Sequence, residues 1–236
     1  LTAPPKPTIA NLINLAMKPR WCLGMAGTSR RQFGNIVKLA GGVNRFFHFR
    51  SPTPLDKQNV VRMNRDTLYS MAVVDTSKGA TITVPELPAD RYVSVYLADN
   101  DHYCPGVIYT AGKHELARDT KYLAIGIRIQ VIDPSNAEEV AKINALQDQF
   151  VIEAASADPL PDFKWDMDSL KALTVAYEKE SANYASFKGM QGPRGKVDEK
   201  TRHVAAAAGW GLFPEWDAMY LNYNGGEDAG KCYMAT

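Results

Sequence analysis

The segment Lys121 to Ile132 (KYLAIGIRIQVI) constrains the fold most, because its apolar residues alternate with a period of two. One set of alternate residues comprises Leu123, Ile125, Ile127, Ile129 and Val131, and the other comprises Tyr122, Ala124, Gly126, Arg128 and Gln130. Successive side chains of a strand point to opposite faces of its sheet, so a shift of one residue would exchange the two sets. The segment therefore predicts a strand with one face in the core.

The same pattern extends over the preceding residues. Between Asn59 and Asp133, β-branched and aromatic residues are enriched and turn residues recur at intervals of about ten, as in an antiparallel sandwich. The clearest further strands are Ala80 to Val84 and Arg91 to Ala98. This region predicts an antiparallel β-sandwich-like domain.

Helical patterns flank the predicted sandwich. Glycine and proline residues between Thr8 and Phe49 predict short helices joined by turns. After the sandwich, Ser135 and Glu138 have the spacing of a capping box. The apolar residues that then recur at helical spacing are Val140, Ile143, Leu146, Phe150 and Ala154.

Two further helices are expected nearer the C-terminus. The sequence DPLPD at Asp158 to Asp162 should end the first helix, since proline cannot continue it. A second helix is predicted from about Asp168, and a third from Asp198 to Ala208.

Together these patterns predict an α+β fold. The expected parts are a helical N-terminal segment at 1–55, a β-sandwich-like domain at 56–134, a helical segment at 135–208 and the start of a second β domain at 209–236. A final strand at Lys231 to Thr236 has no room to pair. It predicts that a further segment or another chain, such as a second copy in a homo-oligomer, completes the second domain.

Composition and charge exclude some functions. Lys and Arg total 27 against 26 for Asp and Glu, so the chain lacks the positive charge of a nucleic-acid binder. No apolar run approaches the roughly 20 residues of a membrane-spanning helix. The start LTAPPKP has no initiator Met and favours a removed export signal, hence a periplasmic or secreted protein, or a trimmed chain.

The cysteines and cofactor motifs give few constraints. Cys22, Cys104 and Cys232 are too few for a disulfide framework or a zinc site, and we expect unpaired thiols, although one disulfide stays open. Nucleotide-binding motifs and serine-hydrolase elbows are missing from the sequence. No cofactor is therefore predicted.

A polar segment precedes the second predicted strand. In VVRMNRDTLYS, at Val60 to Ser70, Asn64 and Asp66 suit a turn that leads into a strand near Leu68. Under one interpretation Asp66 pairs with an arginine and braces the sheet. Under the other, Arg62 and Arg65 clamp a carboxylate or phosphate.

This segment also supports a family resemblance. The run VVRMNRDTLYSMAVVD, followed by DRYVSVYLADND and YLAIG, resembles the family called domain of unknown function 1254 (DUF1254). The run GLFPEWDAMYLNYNGGEDAGKCYMAT resembles the opening of its companion domain, DUF1214. The resemblance implies a mixed architecture of β-sandwich-like and helical parts and export from a bacterial cell, with no established activity.

Other residues extend the candidate site. Asp66 or Tyr69 could transfer a proton in a functional site, with His102 as a partner. Arg91 and Tyr92 could meet the polar segment across the sheet, or serve as an edge charge and a half-buried aromatic residue.

Metal binding and an aromatic pocket are further alternatives. Asp99, Asp101, His102 and His114 suggest a divalent metal site, although Cys104 stands where a calcium loop requires glycine. An aromatic cluster with one acid comprises Trp210, Phe213, Trp216, Asp217 and Tyr220. It forms either a core or domain interface, or the wall of a ligand pocket.

Two functions therefore stay open at this stage. The first is an enzyme acting on a small anionic or ester-like compound, with Asp66, Tyr69 and His102 in catalytic roles and Trp216 among the binding residues. The second is a non-catalytic envelope or ligand-binding protein in which the same residues are structural.

Overall fold

The alternation of β7 (Tyr122–Gln130) places it at the centre of the larger of two antiparallel sheets. The computed structural model describes residues 23–54, 64–89, 91–162 and 166–218. The large sheet has the order β1-β2-β7-β4-β5, and the small sheet has the order β6-β3-β8. The other strands are β1 Phe46–His48, β2 Thr67–Asp75, β3 Ala80–Val84, β4 Val93–Asp99, β5 Val107–Ile108, β6 Gly112–Glu115 and β8 Val151–Ala154.

Four helices accompany the sheets in the described ranges: α1 Leu23–Ala40, α2 Ala137–Gln147, α3 Met167–Ser181 and α4 Glu199–Ala208. The predicted α+β class with a sandwich-like arrangement is therefore confirmed. In the part of the chain that the structure describes, no helix is long and apolar enough to cross a membrane.

The main core lies between the two sheets. One set of β7 residues, among them Ile125, Ile127 and Ile129, packs there with Ile82 of the small sheet and Ile143 of α2. Each fully buried side chain of this kind contributes about 1.5 to 3 kcal/mol by leaving water. This is the core face that the alternation predicts.

The opposite face of the large sheet is also covered. Phe33 and Ile36 of α1 pack on this face with Val73, Tyr96 and Ala124. Helix α1 in turn contacts α3 and α4. We call this second covering the helical layer, and the sheet therefore has apolar contacts on both faces.

Helix α1 corrects the expectation of short N-terminal helices. It continues across Gly24, Gly27 and Gly34 and ends before Gly41, whose φ of +73° is the left-handed conformation that glycine adopts readily. A glycine within a helix costs about 1 kcal/mol, which packing of Phe33 against the sheet offsets. The predicted helix near Ile9 to Ala16 lies outside the described residues.

The segment after Ser135 contains a second correction. Asn136, and not Ser135, caps α2, because its side chain accepts hydrogen bonds from the backbone N–H groups of Glu138 and Glu139. The helix ends at Gln147, Phe150 lies just after it outside any regular element, and Ala154 lies in β8, which pairs with β3. Sequence spacing alone did not separate the helix from this strand, since β8 is stabilised by residues far away along the chain.

The other predicted elements match their expected positions closely, whereas the short strands β1, β5 and β6 were not predicted and β1 lies in the segment expected to be helical. Helices α3 and α4 begin after the capping side chains of Asp166 and Asp198. Strand β3 has the predicted bounds, and β4 and β7 differ from them by a residue or two at their ends. Cys22, Cys232 and the strand at Lys231 to Thr236 lie outside the described residues.

Candidate functional site

Two cross-strand rows define the site on the helical face of the large sheet. In the first row Tyr69 of β2 lies opposite Arg128 of β7, which lies opposite Ser94 of β4. In the second row the central residue is Gly126, between Met71 and Tyr96. A small residue between two large ones leaves a depression along β7.

The depression opens into a groove between the sheet and the helical layer. The groove has a larger chamber of about 460 Å³ and a smaller one of about 180 Å³. The two chambers adjoin, because both are lined by Tyr69, Met71, Arg128, Trp210 and Gly211. Arg128 is thus the charged residue at their junction.

Polar and aromatic contacts fix the guanidinium of Arg128. Its Nε donates to Ser94 Oγ at 3.4 Å, and its Nη2 donates to the Tyr92 hydroxyl at 3.2 Å and to Asp217 Oδ2 at 3.2 Å. The ring of Phe213 lies against it, 3.5 Å from the guanidinium carbon to the ring centroid. Within the described ranges Nη1 has no hydrogen-bond partner, so two N–H donors of Arg128 are unused.

Asp217 connects Arg128 to a second tyrosine. Its side chain is 5% exposed, and its Oδ1 accepts a hydrogen bond from the Tyr109 hydroxyl. Partial burial, followed by this bond to Asp217, raises the pKa of Tyr109. Tyr109 therefore stays protonated and keeps donating to the carboxylate at neutral pH.

The polar segment forms the predicted turn. Asn64 Oδ1 accepts a hydrogen bond from the Asp66 backbone N–H at 2.6 Å, and β2 starts at Thr67, which confirms the turn into a strand. Arg65 donates to the Thr53 carbonyl oxygen at 3.1 Å. Asp66 is exposed and makes no ion pair with another described residue, and Arg62 lies outside the described residues.

The sequence-predicted residues divide between the groove and other places. Tyr69 lines both chambers, and Asn64 lines the larger one. Tyr92 contacts the groove through Arg128. Arg91 instead pairs with Glu139 of α2 at 2.9 Å and, by this hydrogen bond, lowers the pKa of that carboxyl.

His102 does not line either chamber. It is fully buried at the end of β4 with a left-handed φ of 62°, and its Nε2 accepts a hydrogen bond from the Gly211 backbone N–H at 2.9 Å. Its ring stacks on Trp210 at 5.7 Å between centroids. Burial, with the nearby Arg202 charge, lowers its pKa to about 3. His102 thereby holds the segment that forms one wall of the groove.

The residues considered for a metal ion have other partners. Asp99 and Asp101 both pair with Arg194, at 2.7 and 2.6 Å, and burial raises the pKa of Asp99. His114, in β6 of the small sheet, contacts the Thr110 carbonyl oxygen through its Nε2. The described ranges contain no group of three or more His, Cys, Asp or Glu side chains placed to hold a metal ion.

The predicted aromatic cluster contributes to the groove through two of its members. Trp210 and Phe213 line the smaller chamber, and both also pack in the apolar cluster under the helical layer. Trp216 is 58% exposed and lies beside Gly192 outside both linings. Tyr220 lies outside the described residues.

Sequence reasoning did not identify Arg128 as a site residue. The available signal was its charge within a strand whose neighbours are apolar or small. Its partner Asp217 was visible only as the acid of the aromatic cluster. The pairing itself joins residues 89 positions apart and has no local sequence signature.

The fold and the groove define an α+β domain with an arginine between a sheet and a helical layer. Residues 43–111 match the sequence profile of the family described as "Protein of unknown function (DUF1254)", which confirms that part of the resemblance. The DUF1214 part stays a prediction. No curated protein matches the chain.

One solved structure has a similar fold, and a second one aligns with most of this chain at a much lower score. The VPA0106 protein from Vibrio parahaemolyticus is 14% identical over 86% of this chain and 69% of that chain, with a TM-score of 0.61. An uncharacterized protein from Burkholderia cenocepacia is 14% identical over 88% of this chain and 52% of that chain, with a TM-score of 0.33. Export, turnover and oligomeric state are untested by these similarities and stay predictions.

Proposed function

We propose that this domain binds a small organic carboxylate in the groove, with Arg128 as the anion-binding residue. The observation that supports this most directly concerns Nη1 of this guanidinium, which lines both chambers: it has no hydrogen-bond partner among the described residues. Arginine binds carboxylates through paired N–H donors, and such charge-assisted bonds are stronger than neutral ones. The Tyr69 hydroxyl, directly opposite on β2, is a second donor for the same anion.

The surroundings of Arg128 favour binding because they hold the guanidinium in one orientation. Its side chain is 15% exposed, Ser94 and Tyr92 accept hydrogen bonds from it, and Phe213 stacks on it. The Asp217 carboxylate already pairs with Nη2, so a ligand anion would bind at Nη1. Because the Arg128 side chain is already ordered, binding of an anion there requires less loss of side-chain entropy. Low exposure also strengthens the charge interaction relative to open water.

Binding without turnover fits the placements better than the enzyme interpretation. Asp66 and His102, two of the three residues predicted to be catalytic, lie outside the lining of both chambers. Of these three residues, Tyr69 is the one that lines the groove. A single tyrosine is better suited to donate a hydrogen bond to a ligand than to perform both the acid and the base step of a reaction. The protein would then be a ligand-binding domain.

Isothermal titration calorimetry with phenylacetate and its neutral amide tests the proposal. We expect the acid to bind and the amide to bind about a hundredfold more weakly, since it cannot form the charge-assisted pair. Equal affinity for acid and amide would contradict an anion site. This comparison uses the unmodified protein, so it does not depend on the folding of a variant.

Substitution then assigns the anion site to one arginine. Arg128→Ala should weaken phenylacetate binding about a hundredfold, because removal of a partner of a charged hydrogen-bonded pair costs roughly 2 to 5 kcal/mol. Arg65→Ala is the matched control, since Arg65 contacts the Thr53 carbonyl near the larger chamber and should leave affinity unchanged. The assignment fails if Arg65→Ala abolishes binding and a folded Arg128→Ala does not.

A further inference from the structure

We infer that the ligand is an aromatic carboxylate with a single ring, whose ring occupies the smaller chamber while its carboxylate meets Arg128. This inference rests on the proposed carboxylate binding and adds the class of compound.

The volume of the smaller chamber matches one ring. It measures about 180 Å³. For comparison, an apolar protein cavity of about 150 Å³ lined by aliphatic and aromatic side chains binds benzene. By the same ratio of cavity to ring, a fused two-ring system would extend from the smaller chamber into the larger one. One ring is therefore the apolar group that the smaller chamber holds by itself.

The lining is chemically suited to an aromatic ring. Ile36 covers the chamber from α1, and Met71 lies at its side on β2. Tyr96 and Phe213 face each other with ring centroids 4.8 Å apart and planes inclined by 37°. Aromatic rings favour such tilted and edge contacts, and a methionine sulfur adds a favourable contact with a ring.

Gly126 makes room for the ring. A Cβ atom at this position would lie 3.8 Å from Tyr96 Cδ1, an ordinary contact distance, so alanine fits and a larger side chain would enter the chamber. Arg128 lies two residues further along the same face, about 6.6 Å away at the usual rise per strand residue. A ring beside Gly126 therefore directs an attached carboxylate toward the guanidinium.

A series of acids tests the size limit with the unmodified protein. Phenylacetate should bind at least about tenfold more tightly than acetate, because the ring buries apolar surface, and about tenfold more tightly than 1-naphthylacetate, which overfills the chamber. Hexanoate should also bind more weakly than phenylacetate. Equal affinities for phenylacetate and the naphthyl acid, or tighter binding of hexanoate, would overturn the inference.

Variants at Gly126 locate the ring. Gly126→Val should weaken phenylacetate about tenfold and leave acetate unchanged, whereas Gly126→Ala, the matched control, should change neither by more than about threefold. Nuclear Overhauser contacts between ligand ring protons and the Met71 methyl group provide a second measurement if Gly126→Val is unstable. Ring protons without contacts to Met71 or Ile36 would contradict the placement.

The two levels of the proposal fail separately. Loss of the proposed function would appear as acid binding that does not depend on Arg128. Loss of this inference alone would appear as Arg128-dependent binding in which neither ring size nor Gly126→Val has an effect.

Discussion

Arg128 is a residue whose role depends on its planar shape as well as on its charge. The flat guanidinium stacks on Phe213 while its edge donates to Ser94, Tyr92 and Asp217. A lysine would keep the charge but lose the stacking and most of these donors, so Arg128→Lys is not a conservative change here. The same shape leaves one edge of the guanidinium for a ligand.

His102 gives the folded protein a specific sensitivity to acid. Burial lowers its pKa from 6.5 to about 3, so the unfolded chain binds a proton below pH 6.5 while the folded protein does not. The contribution of His102 to stability is therefore complete above pH 6.5 and is lost as the pH falls from there toward 3. The loss is about 1.4 kcal/mol per pH unit, several kcal/mol in all.

Urea denaturation at pH 7, 5 and 4 measures this dependence. His102→Asn is the comparison variant, because asparagine also tolerates the left-handed conformation and does not titrate. The other acidic and basic groups stay in both proteins, including Arg202, which faces His102. We expect the free energy of unfolding to fall less steeply with acid in the variant, and identical slopes would refute the role of His102.

At the scale of elements, the start of α2 depends on one side chain. Asn136→Ala should lower the free energy of unfolding by about 1 kcal/mol, since it removes the acceptor for two backbone N–H groups. Ser135→Ala is the matched control, because among the described residues the Ser135 side chain bonds to Asp133 and does not cap the helix. Chemical denaturation of both variants measures these free energies of unfolding. A larger decrease in Ser135→Ala than in Asn136→Ala would instead support Ser135 as the cap, as predicted from the sequence.

Local patterns predicted the long strands β2, β3, β4 and β7 and the later helices, but not the short strands β1, β5 and β6. Alternation fixed β7, and Asp166 and Asp198 stand where helix-capping residues are expected. Helix α1 and the segment that includes β8 were mispredicted. Packing of α1 on the sheet outweighs its glycine content, and pairing with β3 makes the residues after α2 a strand instead of more helix. Residue propensity alone predicts neither the packing of a helix on a sheet nor the pairing of distant strands.

The site was less predictable than the fold. Tyr69, Asn64 and Tyr92 were identified from the sequence and are in or beside the groove. Alternation placed Arg128 on the face opposite Ile127 and Ile129, but nothing local showed that Trp210 and Asp217 return to cover that face. A groove between a sheet and distant segments is a product of topology, so its arginine is recognised only in three dimensions.

At the scale of the whole molecule, Cys104 reports whether the helical layer stays on the sheet. The thiol is fully buried, burial raises its pKa to about 12, and its backbone N–H donates to the Gly192 carbonyl oxygen. The adjacent Tyr103 ring contacts the guanidinium groups of Arg194 and Arg202, whose central carbons lie 4.4 and 3.9 Å from the ring centroid. A thiol reagent reaches Cys104 only when this region opens.

Tyr103→Leu should therefore accelerate Cys104 modification about tenfold, since it removes two cation–π contacts of about 0.5 to 2 kcal/mol each. Tyr103→Phe keeps the ring and loses only the hydroxyl bond to Glu199, so its effect should be smaller. The rates are measured with a chromogenic disulfide in a background carrying Cys22→Ser and Cys232→Ser. Equal rates in the Leu and Phe variants would show that the stacking does not hold the layer.

The two-sided burial of β7 has a practical consequence for finding natural ligands. One face of this strand packs in the main core, and the other forms the floor of the groove. A compound that fills the groove binds only the folded state, and at a hundred times its dissociation constant it stabilises that state by about 2.7 kcal/mol. The melting temperature can therefore rank a library of metabolites without any assay for turnover.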